Sequence, residues 1–400
     1  MAAPVYIAGV GVISAIGNNV AENLAALSES TAGMGAMDRL QSIHKDTLPV
    51  AEVKLTNHQL AAQAGLSPNI SRTALLSTIA AREAVRNAGV ALDDWRTGFI
   101  SANSVGGMDL TEGFFETFLK DESSGRLRDV VHHECGAVTE VTADALGVKD
   151  FVTTVSTACS SSANSIFLGA RLIRQQQLDV VIAGGTDALA RFTLNGFNTL
   201  MILDSEFCQP FDENRRGLNL GEGAGYVVLV SEKVAATLAQ KPSVKISGWA
   251  NANDAHHQTA SSPEGKGNLL AMKGALQKAG LIPRDIDYIN LHGTGTGNND
   301  IAEGTAIKTL FEGHYPAMSS TKSFTGHTLG ASGGIEAVFS VLAIQQGLIF
   351  PNLRWQTQMK ELPFRPVTQL RKAAIKHVMS NSFGFGGNCS SLIFSSTDDV

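Results

Sequence analysis

Three side chains in this sequence are of the types that make and break acyl bonds. One is the thiol of Cys159, in Thr157-Ala158-Cys159-Ser160-Ser161. The others are two imidazoles: His292, in His292-Gly293-Thr294-Gly295-Thr296, and His327, in Gly326-His327-Thr328-Leu329-Gly330-Ala331-Ser332-Gly333. A thiolate attacks a thioester carbonyl, and an imidazole can handle the charge or proton that then develops. The trio points to carbon–carbon bond chemistry on thioesters. A cysteine in apolar surroundings is ordinarily inert packing, so Cys159 needs a reason to react. Asp150 to Thr157 (DFVTTVST) is rich in β-branched residues and reads as a strand, whereas Ser162 to Gln176 has apolar residues at helical spacing. Cys159 is therefore expected at a strand-to-helix turn. There the free N–H groups and the positive end of the helix dipole favour a thiolate and can receive an oxyanion. Cys135, Cys208 and Cys389 lack these flanks.

The elements that position these residues are repeated in the chain. Ala84–Val90 resembles Ala275–Leu281, Gly169–Gln175 resembles Ser340–Gln346, and Gly221–Val230 resembles Gly384–Ile393, in the same order. The offsets fall along the chain, which assigns the insertions to the first half, chiefly Leu110–Val148. The boundary is expected at Lys241-Pro242, giving halves 1–241 and 242–400. Each half alternates strand and helix, the pattern of α/β layers. Packing about a pseudo-two-fold axis would bring Cys159 from one half against both histidines from the other, at strand ends.

Composition sets the bounds. Of 400 residues, 44% are apolar and 17% charged, enough for a large core, and the net charge of −6 leaves no electrostatic footprint for nucleic acid. The cysteines lack framework spacing, and neither a leader pattern nor an apolar run near membrane-spanning length is present. The expected setting is the cytoplasm, with no membrane insertion.

These residues resemble the β-ketoacyl-acyl-carrier-protein synthases of the thiolase superfamily, of the Cys-His-His type, along essentially the whole chain. The resemblance rests on the Cys159 segment, Ala183-Gly184-Gly185-Thr186-Asp187, Gly221-Glu222-Gly223-Ala224-Gly225, the His292 segment with Asp300 and Glu303, Thr321-Lys322-Ser323, the His327 segment with Glu336, and Asn381-Ser382-Phe383-Gly384-Phe385-Gly386-Gly387. It implies a duplicated five-layer α-β-α-β-α fold, an acyl carrier protein as substrate carrier, and no cofactor or metal. The subunit would form a homodimer, or a heterodimer with a chain-length-factor-like homologue.

The resemblance also implies roles. Cys159 is the nucleophile, and the backbone N–H groups of Cys159 and Phe385 form the oxyanion hole. His292 and His327 stabilise the enolate left when malonyl thioester loses carbon dioxide, with Lys322 and Glu336 supporting His327. Thr294 and Thr296 match contacts to the pantetheine arm, Phe385 and Phe383 a gate, and Val105 a limit on the depth of the acyl tunnel.

The sequence departs from the family pattern in places. Gly297 replaces a frequent proline, Asn388-Cys389 replaces Thr-Asn, and basic residues for carrier docking are sparse. Ser67–Ser77 offers only Arg72, and Gln209 stands where arginine is frequent. Other readings fit less well. A thiolase would need a second catalytic cysteine, for which Cys389 is the only candidate. The third synthase type carries asparagine in place of His327, and a chain-length factor typically lacks the nucleophile. His132-His133-x-Cys135 and His256-His257 lack paired zinc spacings, and Gly9-Val10-Gly11-Val12-Ile13-Ser14 lacks the third glycine of a dinucleotide site.

Overall fold

In the computed structural model, which describes residues 3–397, ten strands follow the order β3-β2-β4-β5-β1-β6-β12-β11-β7-β8. The first half supplies β1 (Val5–Ser14), β2 (Thr97–Ala102), β3 (Phe151–Val155), β4 (Val180–Asp187) and β5 (Gly223–Ser231). The second supplies β6 (Val244–Asn253), β7 (Tyr288–Asn290), β8 (Ala317–Ser319), β11 (His377–Phe383) and β12 (Asn388–Ser396). β9 (Leu348–Ile349) and β10 (Arg371–Lys372) form a separate ribbon.

The second half mirrors the first in order and direction. β2 runs parallel to β3 and β4, as β7 does to β8 and β11, while β4–β5–β1 and β11–β12–β6 are antiparallel. Among the strands of the described residues, the two halves pair where Val5–Ile7 meets Val244–Ile246. The duplication is thus present in three dimensions.

Between the sheets lie the helices Ser161–Arg174 and Ser332–Gln346, each in contact with the other and with strands of both halves. Every residue from Ser332 to Ala343 is buried, as expected of a helix enclosed on all sides. Arg72–Ala88 packs outside β1 and β5, and Lys266–Ala279 outside β6 and β12, completing five layers. Glycine sets both outer contacts. A Cβ at Gly11 would stand 2.0 Å from Ala80 O, and one at Gly248 would stand 2.2 Å from Ala275 O, so any side chain there would force helix from sheet.

The expected strand and helix around Cys159 form as β3 and Ser161–Arg174. The distribution of insertions differs from expectation. Residues 103–150 and 188–222 are inserted in the first half, but residues 347–376, carrying β9 and β10, separate helix from strand in the second. The three repeated segments missed this because none compares β4 with β11. Among the described residues, no helix is long and apolar enough to cross a membrane.

Candidate active site

Cys159 sits in the bend between β3 and its helix. The bend is built by its own hydroxyls: Ser161 Oγ accepts from Thr157 N–H at 2.8 Å, and Ser160 Oγ donates to Thr157 O at 2.8 Å. Ala158 adopts φ +53°, a conformation that non-glycine residues rarely take and that marks strain at functional turns. The turn 384–387 lies against it. A Cβ at Gly384 would stand 3.1 Å from Cys159 N, so glycine allows the two backbones to approach. The backbone N–H groups of Phe385 and of Cys159 both act on the sulfur.

The resting thiol nevertheless differs from expectation. Burial pushes Cys159 up to about 11, and the two amides and the Lys322 charge only partly oppose it. Removing the sulfur from water outweighs the helix end, because the anion loses more hydration than two N–H groups restore.

Both histidines come from the second half. Glu303, on the helix Gly297–Phe311, accepts the N–H of His292 at 2.9 Å and of Gly293 at 2.8 Å, fixing the loop after β7. His327 N–H donates to Asn219 O at 2.7 Å, and Gly221 N–H donates to His327 O at 2.9 Å. The two rings meet edge to face with centroids 5.6 Å apart. The Cys159 sulfur and a nitrogen of each ring lie within 4.8 Å of one another.

The protons on these rings are assigned by their neighbours. His327 Nδ1 accepts the Leu329 N–H at 3.0 Å, so the proton of the neutral ring is on Nε2. His292 Nδ1 lies 3.3 Å from Lys322 Nζ and accepts from its ammonium, which puts that ring's proton on Nε2 as well. Burial, followed by the Lys322 charge, holds both imidazoles well below their ordinary value, and the His327 charge adds to the effect on His292. At neutral pH the site therefore carries two uncharged N–H donors.

Lys322 is paired with Glu336, and both are almost wholly buried. Burial raises the Glu336 carboxyl to about 7 despite the ammonium beside it. The cation was expected to support His327 directly. It hydrogen-bonds His292 instead and reaches His327 only through its charge.

One cavity of about 170 Å³ gathers Cys159, His292, Thr294, Thr296, His327, Phe383 and Phe385. The Thr294 and Thr296 hydroxyls are 2.9 Å apart, and Thr296 caps the helix that begins at Gly297. Phe385 stacks on Phe197 with ring centroids 5.7 Å apart. Val105 does not line this cavity. It packs in a neighbouring apolar cluster with Leu218, Phe197 and Ile202, which do line it.

Arg72, the one basic residue of Ser67–Ser77, is buried, with Nη2 2.7 Å from Glu222. Sequence reasoning also gave no task to Asp187 beyond a motif match. Its buried carboxylate accepts the N–H groups of Ser104, Val105 and Gly330, joining the Val105 loop to the His327 loop. Burial raises it to about 7. A buried acid at the end of a motif strand was the available signal.

Comparison with known proteins agrees with this geometry. The beta-ketoacyl synthase N-terminal domain model matches residues 2–235 and the C-terminal domain model residues 244–356. The 3-oxoacyl-[acyl-carrier-protein] synthase 2 of Staphylococcus aureus is 33% identical, covering 98% of this chain and 97% of that protein. A mitochondrial 3-oxoacyl-[acyl-carrier-protein] synthase of Arabidopsis thaliana is 40% identical over 60% of this chain and 55% of its own. Among solved structures, a chain of the ishigamide ketosynthase/chain length factor superposes with TM-score 0.95 at 29% identity, covering both chains fully. A ketosynthase in complex with its chain length factor from Xenorhabdus doucetiae gives TM-score 0.84 at 31% identity over 99% of this chain and 98% of the other. With both family models matched in order and a relative aligned along nearly its full length, the chain belongs to the beta-ketoacyl synthase family of condensing enzymes.

Proposed function

We propose that this chain is a β-ketoacyl-acyl-carrier-protein synthase that performs a decarboxylative condensation in fatty acid or specialised polyene or polyketide synthesis. The Cys159 sulfur attacks the carbonyl of an acyl thioester on acyl carrier protein. The oxyanion rests on the N–H groups of Cys159 and Phe385, and collapse expels the carrier thiol to leave acyl-Cys159. Malonyl thioester then loses carbon dioxide, and the electron pair left behind becomes an enolate whose oxygen accepts from His292 and His327 Nε2–H. The enolate carbon attacks acyl-Cys159, forming the new carbon–carbon bond and releasing 3-ketoacyl thioester and the cysteine thiolate. Thr294 and Thr296 hold the pantetheine arm, and Phe385 with Phe383 gates the pocket.

The observation that carries this reading is the fixed proton inventory. Both Nδ1 atoms are occupied by donors, so the rings serve as neutral hydrogen-bond donors, which suits an enolate better than proton abstraction. A thiolase reading lacks its second cysteine. Cys389 is buried outside the cavity, its sulfur 3.1 Å from Asn268 Oδ1, and its thiol is pushed up to about 12.

A second subunit of this chain or of a chain-length-factor-like homologue fits the exposed apolar residues of the first-half insertion. Phe115, Leu119, Leu127 and Val131 are each more than half exposed, and β3 is a free sheet edge. The cytoplasm is the proposed setting. Intact-mass and peptide mapping after incubation with acyl carrier protein test the assignment. Acyl transfer is expected on Cys159 alone; acylation of Cys159→Ala to the wild-type extent would reject it.

A further inference from the structure

Asn388 directly follows the turn 384–387, and its side chain meets several donors from the nucleophile side of the cavity. Its Oδ1 accepts from Asn164 Nδ2 at 2.9 Å and Asn251 Nδ2 at 2.7 Å, and it lies 2.8 Å from Ser160 Oγ, whose one hydrogen is shared between this oxygen and Thr157 O. Ser160 directly follows Cys159, and Asn164 is in the first turn of the helix that Cys159 precedes. Asn164 Nδ2 also lies 2.8 Å from Thr157 Oγ1, at the other end of the nucleophile bend. The main chain of Asn388 completes a second link. Its carbonyl accepts the Gly384 N–H at 2.9 Å and closes the turn that carries the Phe385 amide.

We propose that Asn388 is a positioning residue that sets the distance between the nucleophile bend and the turn bearing the second oxyanion donor. Cys159 and Phe385 lie far apart in sequence and on different halves, so nothing local holds the Phe385 N–H against the sulfur. One residue grips both turns, the first through its side chain and the second through its backbone. A carbonyl oxygen has two lone pairs, and two amide donors together with the shared Ser160 hydroxyl leave it little freedom to move. The two turns therefore shift together or not at all. Loosening the grip moves the Phe385 amide away from the position of the developing oxyanion, where misplacement by an ångström can cost about 100-fold in rate. Asn251, which is exposed, supports Asn388 without touching either turn.

This inference rests on the role proposed for Cys159, and the test separates the two. Wild type, Asn388→Ala, Asn388→Asp, Ser160→Ala and Asn251→Ala are compared in three measurements: alkylation of Cys159 by iodoacetamide against pH, single-turnover acylation by acyl carrier protein, and Tm. Asn388→Ala should acylate at least tenfold more slowly and at unchanged KM for the carrier. Its alkylation profile should move to higher pH as the amides that favour the thiolate draw back. Ser160→Ala should show a smaller change in the same direction, Asn388→Asp should recover most of the acylation rate because it keeps the acceptor, and Asn251→Ala should resemble wild type. If Asn388→Ala does not fold, Ser160→Ala against Asn388→Asp decides by the same criteria. Unchanged alkylation and acylation with only a lower Tm would overturn the proposal, whereas failure of wild-type Cys159 to acylate would overturn the reading beneath it.

Discussion

The two central helices begin beside the same cavity, but the turns that lead into them differ. After β3, residues 156–160 make one tight bend around Cys159 before Ser161–Arg174 begins. After β8, residues 320–331 make a longer excursion that carries Lys322 and His327 before Ser332–Gln346. The first is closed by its own Ser and Thr hydroxyls and meets the other half at the side chain of Asn388. The second is tied to distant segments, through Asn219 and Gly221 to His327 and through Asp187 to Gly330. Duplication gave the same placement twice; the loops divided the chemistry into a nucleophile on one side and donors with their cation on the other.

That division breaks most visibly at the donors. His292→Ala and His327→Ala should each lower malonyl decarboxylation by roughly 100-fold, the usual effect of losing one preorganised donor, while acyl-Cys159 still forms. Radiolabelled carbon dioxide release and intact mass, run in parallel, measure the two steps. Equal losses in both would mean that the loops are not specialised.

Lys322 gives a milder break. Lys322→Met removes the donor to His292 Nδ1 and strands Glu336, and breaking a buried pair costs about 3–5 kcal/mol. Denaturant unfolding should show that loss, and decarboxylation should fall about tenfold by the weaker control of the ring tautomer. Adding Glu336→Leu should restore stability but not decarboxylation. Restoration of both would reduce the pair to a structural ion pair.

A third effect sharpens the nucleophile side. Because burial raises the Cys159 thiol to about 11, its protonated form is favoured in the fold. Alkylation of Cys159 by iodoacetamide should therefore climb about tenfold per pH unit through pH 7–9, following the thiolate fraction. The same shift makes the group's contribution to stability complete below the ordinary thiol range and lost as pH rises toward 11. A plateau near pH 7 would show a thiolate already formed at rest.

The smallest effect concerns Val105. Val105→Phe overfills the apolar cluster next to the cavity, a change that typically costs about 1–3 kcal/mol. Product analysis should show a lower chain-length ceiling with little loss of short-chain rate. An unchanged product distribution would remove Val105 from chain-length control.

How much of this was legible in the sequence follows from what is local. The Cys159 bend could be read because β-branched and helical spacing change over within a few residues, and the histidines because glycine and hydroxyl residues mark both loops. The duplication was visible in three short segments. The raised thiol was not legible, since desolvation depends on turn 384–387 closing over the sulfur. Nor was the burial of Arg72, whose partner Glu222 lies 150 residues further along the same half, or the acceptor roles of Asp187 and Asn388, which exist only once distant loops meet.

The central claim is that both imidazoles are neutral and carry their protons on Nε2. Nitrogen-15 NMR of histidine-labelled protein, with His292 and His327 assigned by single substitutions, measures this directly. The structure predicts unprotonated Nδ1 and protonated Nε2 signals for both rings, unchanged between pH 6 and 9. A ring that titrates near its ordinary value, or one protonated on Nδ1, would contradict the account.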